Sequence, residues 1–329
     1  MKFLNEYFKI FHIDAYLLRG EKFYNSIVCF REKILPLQKH RVLKPENFTC
    51  TLCKNHSGKL FLEWVEGYQL FECNICNAIS PNISVDDEVK HIESVYGTDD
   101  YYEKIVREIH KQYQYRKNTF GKDRYTYIVE RLNLNPRKVK ILDVGCGAGY
   151  FLSVLKDMGI SHKGLEVAPH LIRYCKELGL NVDANSIHEE PDEEYDVISL
   201  FDVLEHLADP IAIFKIINKK IKPGGFCIIF TPNIHSVGYE LMGAKQNTLV
   251  PFEHLCFFNR NSFKYLCAQT SFLIHSLETF GLDITDYLLL KEYEDNFPYT
   301  KKLKEMVGLI QGIIDKNGLS NHFRLTLKK

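Results

Sequence analysis

Three sets of residues in this chain have types and spacings that could do chemistry. Cys50-Thr-Leu-Cys53 and Cys73-Asn-Ile-Cys76 are two C-x-x-C pairs separated by nineteen residues. Each such turn can aim two thiolates at one ion, and four thiolates complete a tetrahedral zinc shell. A closed shell leaves no open position for catalysis, so the role expected of Cys50, Cys53, Cys73 and Cys76 is structural. His56 is close enough to stand in as a ligand, but the cysteines already fill the shell. The second set lies in V139-K-I-L-D-V-G-C-G-A-G-Y-F-L152, where Gly145, Gly147 and Gly149 occupy every second position after Asp143. Glycines let backbone approach a ligand where a Cβ would clash. The third set is two Glu-His pairs, Glu205-His206 and Glu253-His254, either of which could supply a general base.

The elements that must position these residues follow from the pattern. Val139–Asp143 is a short apolar run with β-branched residues, which reads as a buried strand, and Tyr150–Met158 has helical periodicity. Strand, glycine turn and helix open a nucleotide-binding α/β unit. A dinucleotide fingerprint needs G-x-G-x-x-G, and counting from Gly145 the sixth position is Tyr150. No G-K-[ST] follows either, which excludes the P-loop. Further strands are expected at His162–Val167, Asn181–Ala184, Tyr195–Phe201 and Phe226–Thr231, alternating with helices. That alternation implies a parallel sheet with ligands at the carboxyl ends of its strands.

Composition narrows the partners. Forty-two basic and 42 acidic residues leave no net charge, which gives no sign of a broad nucleic-acid or anionic-membrane surface. No apolar run reaches the roughly 18 residues of a membrane span. The first residues are broken by charges, unlike a secretory signal, so a cytoplasmic chain with reduced thiols is expected. The oligomeric state is left open.

Five segments are expected. Residues 1–45 form a helical arm, with Phe3, Leu4, Tyr7, Phe8 and Phe11 at helix-like spacing. Residues 46–82 form a zinc-ribbon module whose hairpin strands are L-F-L-E-W-V and Y-Q-L-F-E. Residues 83–136 are a helical linker or lid, with Tyr96, Tyr101 and Tyr102 either packed on the sheet or offered to a substrate. Residues 137–282 carry the α/β sheet, and 283–329 are a C-terminal helical extension with the amphipathic run Leu303–Ile314.

Four stations of the sheet, taken in order, resemble the class I S-adenosylmethionine-dependent methyltransferases: D143-V-G-C-G-A-G149, G164-L-E-V-A168, D196-V-I-S-L-F-D-V-L-E-H206 and K222-P-G-G-F-C-I-I-F-T-P-N233. The resemblance covers roughly 137–282. It implies a Rossmann-like seven-stranded, mainly parallel sheet with the last strand antiparallel. It also implies a cofactor cradle of Asp143, Gly145, Cys146, Gly147, Gly149, Glu166 and Val167, with Phe201 and Asp202 beside the methionine moiety. Glu166, 23 residues after Asp143, would accept the ribose hydroxyls, and the loop after Asp183-Ala-Asn-Ser186 would cover the adenine. The sulfonium methyl is already activated, so in-line transfer needs alignment and one base.

A zinc module, this sheet and a downstream E-H-L-x-x-F segment together are similar to the sugar C-methyltransferases. That likeness puts the base at His254, with Glu253 beside it, and leaves His206 as a capping residue or a second candidate. The family segment reads H-E-H-L-S-Y-F, and here Phe252 replaces its first histidine. The expected function is methyl transfer to a small molecule such as a sugar or polysaccharide precursor. The alternatives are an RNA methyltransferase gripping RNA with its ribbon, and a non-catalytic S-adenosylmethionine binder. Lys54, Lys59 and His56 stand against Glu63, Glu66 and Glu72 in the ribbon, which is not the basic patch that RNA needs.

Overall fold

The computed structural model describes residues 13–64, 68–85 and 111–329. The expectations at Phe3, Leu4, Tyr7, Phe8 and Phe11, and at Tyr96, Tyr101 and Tyr102, lie outside these residues. The chain clusters into two bodies. One comprises Met1–Ser84, Thr231–Tyr265 and Leu277–Arg324; the other comprises Val85–Phe230, Leu266–Ser276 and Leu325–Lys329.

In the first body, Asp14 caps the helix Ala15–Arg19 by accepting from the Tyr16 and Leu17 amides at 3.0 Å each, which satisfies N–H groups a helix start leaves open. The helix Phe23–Gln38 follows. The four cysteines flank a small antiparallel sheet of β1 (Gly58–Glu63), β2 (Gln69–Cys73) and β3 (Ile79–Pro81): Cys50 and Cys53 precede β1, Cys73 ends β2 and Cys76 lies in the turn before β3. Gly58 pairs with Cys73 and Phe71 with Ser80. The hairpin β1–β2 matches the sequence expectation. The three-residue β3 was not foreseen, because so short a run carries no period. Elsewhere in this body Ala15, Tyr24, Met242, Leu289 and Leu290 pack together. The buried Asp283 carboxylate accepts from the Gly238 and Asn321 amides and from Gln311 Nε2 at 2.8–3.0 Å, and Arg19 forks onto Asp286.

The main sheet adds β4 (Lys140–Val144), β5 (Ser161–Leu165), β6 (Val182–Asp183), β7 (Tyr195–Phe201), β8 (Ile221–Pro232), β9 (Leu273–Phe280) and β10 (His322–Lys328). Its order is β6-β5-β4-β7-β8-β10-β9. The β4–β5, β4–β7, β5–β6 and β7–β8 pairs are parallel. Hydrogen bonds from Asn233 N to Asn321 O and from Lys329 N to Gly225 O run the two chains in opposite senses, so β10 is antiparallel to β8. The fold is therefore the Rossmann-like, mainly parallel seven-stranded sheet that the sequence led us to expect. One detail differs: residues 322–328 form a strand of this sheet and not part of a helical extension.

In the second body Ile141, Val197 and Ile228 point from the sheet into a core with Phe151, Leu152 and Leu155 of the helix Tyr150–Asp157. Burying each such side chain is worth roughly 1.5–3 kcal/mol, so this interface fixes where the helix begins and hence the shape of the turn before it. Residues 111–116 are helical, and Lys117–Gly121 and Thr126–Glu130 widen to π-helix. Among the described residues no helix is long and apolar enough to cross a membrane.

Candidate functional site

The glycine turn leaves the carboxyl end of β4. Asp143 is buried there, and its carboxylate accepts a 2.6 Å hydrogen bond from Ser199 of β7, its register partner across the sheet. The Gly145 and Cys146 amides both donate to Leu165 O, at 2.8 and 3.0 Å, which bends the chain over β5. Gly147 then donates its amide to Glu166 Oε2 at 2.8 Å. Glu166 Oε1 accepts from the Val167 and Ala168 amides at 2.8 and 2.9 Å. The acid that follows β5 thus clamps the turn.

Two glycines of the turn differ in what surrounds them. A Cβ on Gly145, at φ +67°, would lie 2.5 Å from Val203 Cγ2, so protein already fills that side. Among the described residues, a Cβ on Gly147, at φ +57°, would meet nothing within 4 Å. The open face of the turn is therefore at Gly147. On its other side the Cys175 thiol donates to Gly147 O at 3.4 Å, and the buried Cys146 lies beside the same carbonyl.

Phe201 ends β7 and Asp202 follows it. Phe201 is buried, edge-on to Phe151 and Phe230. Asp202 is exposed at φ +57°, a left-handed conformation uncommon for a residue with a side chain. Sequence reasoning missed the residue that joins them. Arg124, from the short helix Lys122–Tyr125, lays its guanidinium 4.0 Å over the Phe201 ring and 3.9 Å from Asp202 Oδ2. A lone arginine in a helical linker carries no motif, and only the fold brings it to the carboxyl end of β7.

Burial pushes the Asp143 carboxyl up to about 7, aided by Glu166 and opposed by the Ser199 hydrogen bond and the Arg124 charge. A carboxyl raised on folding favours the folded state while it is protonated. Its contribution is full below its unfolded value, about 4, and is lost as the pH rises through about 7. The unliganded protein should therefore lose melting temperature between those limits. Asp143→Asn should flatten that slope in thermal melts recorded across the range, and a slope identical to the parent's would refute the assignment.

His206 lies in the 3₁₀ turn Leu204–His206, in the same body as the glycine turn, and Glu205 is buried beside it. Glu253 and His254 lie in the other body. His254 is buried, and its Nδ1 is 2.8 Å from Thr248 O. A carbonyl only accepts, so Nδ1 carries a proton, and in the neutral form of the ring Nε2 is the acceptor nitrogen. Burial pushes the Glu253 carboxyl up to about 7. Phe252, before it, is buried at φ +65°, with its amide donated to the Tyr68 hydroxyl at 3.2 Å and its ring edge-on to Tyr68.

The four cysteine sulfurs also belong to this body. Cys50 Sγ is 3.5 Å from Cys76 Sγ, Cys53 Sγ is 3.4 Å from Cys73 Sγ, and all four lie within 4.8 Å of one another. Tetrahedral zinc with Zn–S near 2.3 Å sets sulfurs about 3.8 Å apart, so the donor set fits that ion. The thiol hydrogen bond from Cys76 pulls Cys50 down, whereas burial pushes Cys53 up and the Cys50 partner pushes Cys76 up, so a bound metal would have to displace the protons of those two thiols.

Comparison with known proteins gives the chain its family. Residues 93–277 match the family described as "Methyltransferase domain", more than half of the chain, and the protein belongs to that family. Over 133 residues it is 33% identical to the ubiquinone biosynthesis O-methyltransferase of Pseudomonas fluorescens Pf0-1, covering 37% of this chain and 56% of that protein. Over 134 residues it is 31% identical to the enzyme of the same name from Aliivibrio fischeri MJ11, covering 37% and 57%. The chain thus spans about half the length of these relatives. Among solved structures, the plantazolicin methyltransferase BpumL, in complex with S-adenosylhomocysteine, aligns at 15% identity and TM-score 0.48 over 74% of this chain and 95% of its own. A SAM-dependent methyltransferase from Archaeoglobus fulgidus aligns at 21% identity and TM-score 0.45 over 66% and 99%.

Proposed function

We propose that the protein transfers a methyl group from S-adenosylmethionine to a hydroxyl or acidic carbon of a small molecule, with His254 as the base. The open face of Gly147, clamped from below by Glu166, carries this reading, because it leaves room for a ligand against bare backbone. Asp143, Gly145, Cys146, Gly149 and Val167 line the same turn, and Phe201 and Asp202 flank it in the cofactor role the resemblance implies. Cys50, Cys53, Cys73 and Cys76 hold one structural zinc.

Arg124 enters this reading as the partner of the cofactor's α-carboxylate. A charge-assisted hydrogen bond of this kind is worth roughly 1.5–3 kcal/mol. Arg124→Ala should weaken S-adenosylhomocysteine binding on the order of 10- to 100-fold. Calorimetry with decarboxylated S-adenosylmethionine supplies the control. The parent should bind it weakly and Arg124→Ala equally weakly; an extra loss in the variant would place Arg124 elsewhere.

Two acceptor classes are supported. The E253-H-L-x-x-F258 segment favours a nucleotide-linked deoxysugar. The similarity to ubiquinone biosynthesis O-methyltransferases favours an acceptor oxygen on a ubiquinone precursor. Transfer of a labelled methyl group to a panel of nucleotide-linked deoxysugars and catechols separates them. Absence of any heat on titration with S-adenosylhomocysteine would remove the enzyme reading altogether.

A further inference from the structure

The four-cysteine centre and the His254 loop lie in one body, and the hydrogen bonds between them are unusually direct. Thr51, inside the first C-x-x-C turn, donates its hydroxyl to Leu255 O at 2.7 Å. Its amide donates to Ser80 Oγ at 3.1 Å, which ties that turn to β3. Ile79 of β3 and Phe257 exchange both backbone hydrogen bonds, at 2.9 and 2.8 Å. Asn77, immediately after Cys76 and at φ +59°, accepts from Asn259 Nδ2 at 2.7 Å. Tyr68, between β1 and β2, accepts the Phe252 amide.

Residues 252, 255, 257 and 259 are therefore all fastened to the ribbon, on both sides of Glu253 and His254. From the far side Arg31 donates to Gln246 O and Leu249 O at 2.5 and 2.8 Å, which steadies the strand of loop that supplies Thr248 O. The ribbon itself has little to hold it. Its sheet has three short strands, and a core of Phe48, Leu52, Tyr68, Leu70, Phe71, Ala78 and Ile79 is still small enough to be marginal without a metal.

We infer that the metal held by Cys50, Cys53, Cys73 and Cys76 is the anchor that positions the His254 loop, through Thr51 of the first cysteine turn and Asn77 after the second. This rests on the reading of His254 as the base and assigns the ribbon a task in the same chemistry. Thr51 and Asn77 are positioning residues: they touch the loop and not the reacting atoms. The cofactor turn belongs to the other body and is held by its own hydrogen bonds to Leu165 O and Glu166.

The test uses the full zinc-loaded chain, the same chain stripped with a chelator, and the variants Thr51→Val and Thr51→Ser. Thr51→Val keeps the shape and every cysteine but removes the hydroxyl donor, and Thr51→Ser restores it. Hydrogen exchange at the Phe252 and Phe257 amides should accelerate on the order of 10-fold or more in the stripped chain. In Thr51→Val the loop amides should accelerate while metal analysis still finds one zinc per chain. Trp64, the one tryptophan, stacks under Arg31 in this body, and its fluorescence should change on stripping. Imidazole nitrogen NMR, with the His254 signal identified by its absence in His254→Gln, should read Nδ1-protonated in the loaded parent and in Thr51→Ser. A tautomer mixture is expected in the stripped chain and in Thr51→Val. Affinity for S-adenosylhomocysteine should stay constant throughout. Full protection and an unchanged tautomer after stripping, or in Thr51→Val, would overturn the anchor. If His254→Gln retains methyl transfer, the base assignment fails by itself, and the exchange results still decide the anchor.

Discussion

Gly147→Leu is expected to abolish the heat of S-adenosylhomocysteine binding while leaving the protein folded. The side chain would project into open space, because among the described residues, chain neighbours aside, no atom lies within 4 Å of its Cβ. Folding therefore suffers only the left-handed backbone, roughly 1–2 kcal/mol for an L-residue, which is tolerable against a typical domain stability of about 5–15 kcal/mol. Binding suffers far more, since the leucine would occupy the volume a cofactor needs. Gly147→Asn separates the two effects, because asparagine accepts a positive φ yet still fills the space. Both variants should melt within several degrees of the parent and give flat titrations. A normal titration with Gly147→Leu would show that the ligand lies elsewhere.

His254→Gln should reduce methyl transfer on the order of 10²- to 10⁴-fold, the usual worth of a positioned general base, with cofactor affinity unchanged. The expectation comes from the Thr248 carbonyl, which fixes the proton on Nδ1 and so gives the neutral ring a basic Nε2. Glutamine can keep a donor toward Thr248 O but cannot accept a substrate proton. A histidine that merely fills its site would lose stability in this variant, not turnover. Single-turnover transfer of labelled methyl beside thermal melts distinguishes the two. Unaltered transfer would return the base to His206 or to a group outside these pairs.

The features legible in the sequence are those whose signal is local. The glycine turn declares itself by spacing, the cysteine pairs by theirs, and the buried strands Ile141–Leu142 and Val197–Leu200 by runs too apolar for anything else. Glu166 was found by its distance from Asp143, yet its bond to the Gly147 amide was not, since that contact depends on how sharply the turn bends over β5. Arg124 was invisible because sequence neighbours do not tell a linker arginine that it will lie on Phe201. Asp202 and Phe252 take positive φ without being glycine, and no propensity rule selects those two positions. β3 and β10 were missed for a shared reason: each is defined by the partner it pairs with more than by its own pattern.

The place of β10 in the sheet also bears on how the molecule is made. It follows β9 in the chain yet lies between β8 and β9, so β9 waits without a neighbour in the sheet while residues 281–321 emerge from the ribosome. Strand pairing of this long-range kind is slow, because the intervening loop must close first. Until then two edges of β-structure, β8 and β9, are exposed to other nascent chains. The step that seals the sheet is the insertion of β10, sixth of the seven strands in spatial order, and the window for misassociation lasts until that insertion.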